Sequence, residues 1–132
     1  MQQDPIISSI TQFAQNDVRL DVLWLYGSRA AGTARSDSDY DFAVAFTTPL
    51  SDALEQRLQS ELLAFEWADA LNLPEQLISV ADINLAPIPL ALNIVQQGQV
   101  LCVKNGLRLA QEENRVTSMW EIDHQYHVKH YG

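Results

Sequence analysis

Cysteine occurs once in the 132 residues, at Cys102. A single thiol excludes an internal disulfide and fits a reducing compartment. Within Val100-Leu101-Cys102-Val103 it reads as a buried strand thiol. No apolar run approaches the ~20 residues that a membrane span needs. The start, Met1-Gln2-Gln3-Asp4-Pro5, has neither the basic nor the apolar stretch of a secretory signal, so the cytoplasm is the expected compartment. Positive charge is scarce: 8 Lys and Arg stand against 17 Asp and Glu, for a net charge of −9. Phosphate backbones are held by Lys and Arg, so direct nucleic acid binding is disfavoured. A basic protein partner suits this field better, although acidity also serves solubility alone. Repeats, linkers and low-complexity segments are absent too. What is present, 47% hydrophobic residues, suffices for one core, so residues 1–132 are expected to form a single domain.

Asp4-Pro5 reads as a helix cap followed by proline in the first turn, and Ile6, Ile7, Ile10, Phe13 and Ala14 then share one helical face. Val22-Leu23-Trp24-Leu25-Tyr26 is a continuous apolar strand, expected to be buried on both faces. It stops at Gly27-Ser28, where a short helix is expected at Arg29-Ala30-Ala31. A second strand covers Asp39–Phe46. After it, Ser51 or Asp52 caps a helix carrying Leu54, Leu58, Leu62 and Phe65 at helical spacing, broken by Asn72-Leu73-Pro74. A third strand is expected over Leu77–Ile83. Pro87 and Pro89 open a short helix that Gly98 ends, and Gln99–Val103 is a fourth strand. A polar helix from about Leu107 to Trp120 and a tail rich in His and Tyr complete a mixed α/β chain. Trp24 and Trp67 read as core, and Trp120 as core edge or interface.

The most specific pattern is Gly27-Ser28, ten residues, then Asp39-Tyr40-Asp41. Glycine lets backbone approach a phosphate and serine adds a hydroxyl donor. Alternation places Asp39, Asp41, Ala43 and Ala45 on one strand face, and Tyr40, Phe42, Val44 and Phe46 on the other. The acids thus have only small neighbours, which predicts room for a ligand. Two carboxylates two residues apart lie roughly 7 Å apart along a strand, a spacing that suits ligands shared by two metal ions about 4 Å apart. Like charges repel unless a cation joins them. Each half is ambiguous alone: strand-Gly-Ser-helix is a common cap, and Asp37, Asp39 and Asp41 also fit a solvated strand end. Arg29 and Arg35 flank the loop, either as neutralisers of triphosphate charge or as solvated loop arginines.

From Gly27 to Val44 the chain resembles the polymerase-β-like nucleotidyltransferase superfamily, in its minimal branch; the likeness covers about residues 20–103, and Asp82-Ile83-Asn84-Leu85-Ala86-Pro87 is similar as well. The resemblance implies an α/β (α+β) nucleotidyltransferase fold, a mixed β-sheet flanked by helices, with the segment 107–132 as a C-terminal helix and tail. It implies ATP in the Gly27/Ser28 turn, with Arg29 as a further nucleotide-binding residue, and two Mg²⁺ ions on the catalytic acids Asp39 and Asp41. The superfamily's third carboxylate falls at Ser79 here. Asp82 therefore either replaces it as a metal ligand through a shifted register, or the site runs with two acids; alternation cannot choose, because a one-residue slip reverses every face.

Within that branch the chain is similar to antitoxins of HEPN/MNT toxin–antitoxin pairs. The resemblance implies adenylylation: AMP passes from ATP to a tyrosine of a HEPN ribonuclease toxin, in a complex of the two proteins. Two alternatives are a non-catalytic antitoxin, which the serine at position 79 favours, and a small-molecule enzyme of the aminoglycoside-modifying type, for whose additional helical domain this chain has little room. An RNA-directed enzyme is disfavoured by charge. His124, His127 and His130 recur every third residue, a spacing that drifts around a helix and makes a poor metal site; with Tyr126 and Tyr131 they read as a docking surface.

Overall fold

Short apolar strands alternate with helices, and the result is one four-stranded mixed sheet covered on both faces. A computed structural model describes residues 4–48 and 50–131, with side chains through residue 126. In chain order the elements are α1 (Pro5–Asn16), β1 (Leu20–Tyr26), α2 (Ser28–Ala31), β2 (Tyr40–Phe46), α3 (Ala53–Ala70), β3 (Ile78–Asp82), α4 (Ile88–Gln97), β4 (Gln99–Val103) and α5 (Gly106–Tyr131), with a 3-10 turn at Glu75–Leu77. The sheet order is β3-β2-β1-β4. β1 pairs antiparallel with β2 and β4, and β3 runs parallel to β2 at the edge. Among the described residues no helix is long and apolar enough to cross a membrane.

The helix starts follow their caps. The Asp4 carboxylate accepts from the Ile6 amide at 2.8 Å and Pro5 fills the first turn of α1. Asp52, rather than Ser51, caps α3 by accepting from the Leu54 amide at 2.8 Å. Asn72, at φ 55°, ends that helix, and the Leu73 amide returns to the Ala68 carbonyl. α5 departs from the expected helix-and-tail: it continues past Trp120 to Tyr131, because no glycine or proline stands between Leu107 and Tyr131. The His124 ring lies 6.4 Å from that of Trp120, and the side chains of His127, His130 and Tyr131 lie outside the described residues.

β1 is buried on both faces, as a continuous apolar strand should be. On one side of the sheet Tyr40, Phe42, Val44 and Phe46 pack with Leu23 and Leu25 against Ile10 and Ala14 of α1 and Leu63 and Trp67 of α3. Phe42 meets Trp67 edge to face at 5.8 Å. On the other side Val22, Trp24, Ala43 and Ala45 lie under Ala91 and Ile94 of α4 and Val116 of α5. Ala43 and Ala45 therefore seat two helices and leave no room for a ligand. Cys102 is a buried thiol. On α3 the residues at helical spacing, Leu54, Leu58, Leu62 and Phe65, point outward, while Ser60, Leu63, Trp67 and Ala68 are its buried side.

The Phe46 end of β2 is closed by charge. Arg108, in the first turns of α5, donates to the Phe46 carbonyl at 2.7 Å, to Asn84 Oδ1 at 2.6 Å and to Glu112 Oε1 at 3.1 Å, and pairs with Asp21 at 3.4 Å. Arg115 donates to Glu112 at 2.9 Å and to the Ile83 carbonyl at 3.1 Å. Burial pushes the Glu112 carboxyl up, but Asn84, Arg115 and Arg108 outweigh it and hold the group below the ordinary range.

Candidate functional site

β1 ends where the chain must turn sharply beside its neighbour. Gly27 takes φ 72°, and a Cβ there would stand 2.4 Å from Asp41 Oδ2. Both facts demand glycine: the backbone conformation excludes most side chains, and the carboxylate occupies the space one would need. The Gly27 carbonyl accepts from the Ala30 and Ala31 amides, Ser28 opens α2, and Gly32 closes it in the left-handed region at φ 77°. Gln99 of β4 donates to the Ala30 carbonyl at 3.1 Å, which ties this turn to the sheet. Beside it lies a cleft of about 620 Å³ lined by Gly27, Ser28, Ala30, Ala31, Thr33, Asn93 and Gln97, a volume in the range of small-ligand sites. Asn93 and Gln97 are additions from α4. Their signal was a pair of polar residues at i, i+4 in an otherwise apolar helix.

The loop returning to β2 brings the acids to the same turn. Asp41 sits in register with Tyr26, the residue before Gly27, and Asp39 follows the same alternation just outside the strand. Asp39 is exposed and Asp41 half-buried. Burial, then the charge of Asp39, raises the Asp41 carboxyl above its ordinary value. Burial, then the charge of Asp41, raises the Tyr26 phenol. Among the described residues neither acid has an ion pair. Charge of one sign, partly desolvated and lacking a counter-ion, is an arrangement a divalent cation would relieve. Two carboxylates fit Mg²⁺ in particular, which takes one or two acids from the protein and completes its shell with water and substrate phosphate.

Two expected site residues are not brought to this pair. Arg29 extends to the other face of β2: its guanidinium carbon lies 4.0 Å over the Tyr40 ring, Nη2 donates to the Ser38 carbonyl at 2.7 Å and to the Ser36 carbonyl at 3.4 Å, and Nη1 lies 3.8 Å from Asp4 Oδ2. Tyr40 in turn donates its hydroxyl to Asp4 Oδ2 at 2.5 Å. With its head against the loop carbonyls and Nε buried without a partner, Arg29 braces the segment that leads into Asp39. Arg35 is exposed. Asp82 is also elsewhere. The parallel register sets Ser79 beside Asp41 and Asp82 beside Val44, about 10 Å further along the strand. Asp82 is buried and accepts from the Asn84 amide at 2.9 Å. Among the described residues no three His, Cys, Asp or Glu side chains converge on a metal position.

A family model for "Polymerase beta, Nucleotidyltransferase" matches residues 8–106. The chain belongs to this nucleotidyltransferase family. Solved structures share the fold of this nucleotidyltransferase at low identity. A toxin–antitoxin crystal structure with AMP-PNP superposes with a TM-score of 0.73 at 22% identity, covering 96% of this chain and 94% of that one. The MntA–HepT toxin–antitoxin gives 0.68 at 20%, covering 96% and 94%. The complex of a tri-AMPylated Shewanella oneidensis HEPN toxin with its MNT antitoxin gives 0.67 at 20%, covering 94% and 91%. No curated protein matches the chain in sequence.

Proposed function

We propose that this nucleotidyltransferase is an antitoxin that transfers AMP from ATP to a tyrosine of a HEPN ribonuclease toxin and so silences it. The observation that carries the reading is the meeting of Gly27 and Asp41: the carboxylate of one acid stands directly against the phosphate-type turn, and that turn lines the cleft. In this reading the Gly27-Ser28 turn receives the triphosphate, and Asn93 and Gln97 line the rest of the nucleotide's cleft. Asp39 and Asp41 hold two Mg²⁺ ions, which when bound offset charge on the phosphates and on the leaving pyrophosphate. The tyrosine oxygen bonds to the α-phosphorus as the bond to pyrophosphate breaks. Support for the acceptor class comes from the likeness to antitoxin–toxin complexes, one of them holding an AMPylated toxin, and from the net charge of −9, which complements the basic surface an RNA-cutting partner needs.

The test mixes the chain with a candidate HEPN ribonuclease toxin, Mg²⁺ and α-labelled ATP. Label on a toxin tyrosine is the expected result, and active, unlabelled toxin would overturn it. A second reading, neutralisation by binding alone, rests on one observation: Ser79 stands in the row of Asp41 where a third acid would help to activate the attacking hydroxyl. It requires that Asp39→Ala with Asp41→Ala still silences the toxin, whereas transfer requires that the double variant binds and fails to silence.

A further inference from the structure

α3 carries apolar residues on two sides. Leu63, Trp67 and Ala68 enter the core, yet Leu54, Leu58, Leu62 and Phe65 remain 64%, 45%, 60% and 49% exposed. Their spacing of four, four and three residues makes one continuous ridge, and an apolar ridge of this kind on a helix marks an interaction surface. Its direction is informative. α3 runs back along the sheet from the end of β2, so Phe65 lies near the start of β3. There a groove of about 300 Å³ is lined by Glu61, Ala64, Phe65, Glu75, Ile78 and Ser79. Ser79 shares its row with Asp41, and β3 is the open edge of the sheet. The ridge therefore leads, through one groove, to the edge strand beside β2, and the acids, on the sheet face opposite α3, are reached around that edge.

Charge selects the occupant. α3 carries Glu55, Glu61, Glu66 and Asp69 against a single base, Arg57, and the chain as a whole is at −9. Two copies meeting ridge to ridge would oppose acid to acid. A basic partner with an apolar helix face meets both features. We infer that the outer ridge of α3 is the surface on which the protein substrate docks, with the partner's apolar, Lys- and Arg-rimmed helix lying along Leu54, Leu58, Leu62 and Phe65 and its acceptor segment passing the Ser79 groove toward Asp41. This rests on the reading of the chain as a modifier of a basic toxin, and it names the surface that reading leaves open. The apolar patch of Ile88, Met119, Ile122 and Tyr126 gathers at the start of α4, the end away from Gly98 and the Gly27 turn, and does not lead to the acids.

The experiment measures binding of the full chain to the HEPN toxin that it labels or silences, together with AMP transfer from α-labelled ATP, for wild type, for Leu58→Glu with Leu62→Glu, and for Asp39→Asn with Asp41→Asn. Both leucines are exposed, so the first variant should melt and bind ATP as wild type does. Its Kd for the toxin should rise at least about 100-fold, and wild-type association should slow as salt is raised. The Asp variant should keep a Kd within about threefold of wild type and lose the label. A leucine variant that binds as wild type overturns the docking surface, and does so even when the wild type labels the toxin and the transfer reading stands. Loss of binding in the leucine variant, with no label from wild type, keeps the surface and ends the transfer reading. A free chain that is a dimer in sedimentation, split by the leucine changes, assigns the ridge to a second copy and overturns the proposal.

Discussion

At one end of β2, Asp39 and Asp41 have no cationic partner among the described residues; at the other, Asp21 and Glu112 are gripped by Arg108 and Arg115. The strand is the same and the residue types are alike, yet the carboxyls shift in opposite directions, Asp41 upward and Glu112 downward. At the Phe46 end a buried acid without partners would only cost stability, so arginines, an asparagine and backbone carbonyls surround it. The Asp41 end keeps an unmet charge, which costs stability in the free chain and is useful only when something positive arrives.

The largest expected effect tests the site end. Asp39→Asn with Asp41→Asn should lower AMP transfer by roughly a thousandfold or more, since several kcal/mol of charge stabilisation are removed from the reacting phosphates. Circular dichroism should show the fold intact, because neither acid has a protein ion pair to lose. Transfer that survives the double change would place the chemistry elsewhere.

The opposite end should respond in stability. Glu112→Ala leaves Arg108 and Arg115 partly buried without their shared carboxylate, and urea unfolding should show a loss of about 3 kcal/mol. Transfer measured below the lowered melting temperature should stay near wild type. A loss of transfer at full folding would show that the two ends are coupled and would break the comparison.

Arg29 gives a smaller, mixed effect, because it braces the site from behind. Arg29→Ala removes a charged hydrogen bond to the Ser38 carbonyl and the stack on Tyr40, which together are worth about 2 kcal/mol. Loosening the segment before Asp39 should also weaken Mn²⁺ binding, read by electron paramagnetic resonance, by about tenfold. Unchanged Mn²⁺ affinity would reduce Arg29 to a purely structural residue.

The local chemistry of the site and the apolar face of α1 were legible in the sequence, while the buried side of α3 was left unassigned. The Gly27-Ser28 turn and the Asp39/Asp41 pair were legible because each depends on local rules, a glycine-only backbone and a period of two. The buried character of β1 followed from its unbroken apolar run. The surroundings of Arg29 were not legible because the partners that hold it, Tyr40 and the Ser36 and Ser38 carbonyls, are assembled by the fold of the loop. The place of Asp82 stayed open because only the β2–β3 register fixes which residue stands beside Asp41, and register is a tertiary fact. The buried side of α3 was not legible for a related reason. With leucines on both sides of the helix, periodicity finds an apolar face but cannot say which one meets the sheet. α5 outran its expected end because charged and aromatic residues resemble a tail although nothing in them stops a helix.

The finest effect lies in the pH dependence of stability, where the two ends should pull in opposite directions. Asp41 has a folded value above its unfolded one, so the folded state holds its proton longer. Its cost is absent below the ordinary carboxylate range, grows as pH rises through the raised value, and persists at neutrality. Asp41→Asn should therefore melt a few degrees higher than wild type at pH 7 without metal, and added Mg²⁺ should narrow the gap by stabilising wild type alone. Glu112 has the reverse sign: its stabilisation is present above the ordinary glutamate range and is lost as pH falls through the lower folded value. Glu112→Gln should accordingly flatten the acid limb of a melting-temperature profile that wild type shows in full. If Asp41→Asn instead melts lower than wild type at neutral pH without metal, Asp41 is a satisfied structural acid and the contrast between the two ends of β2 collapses.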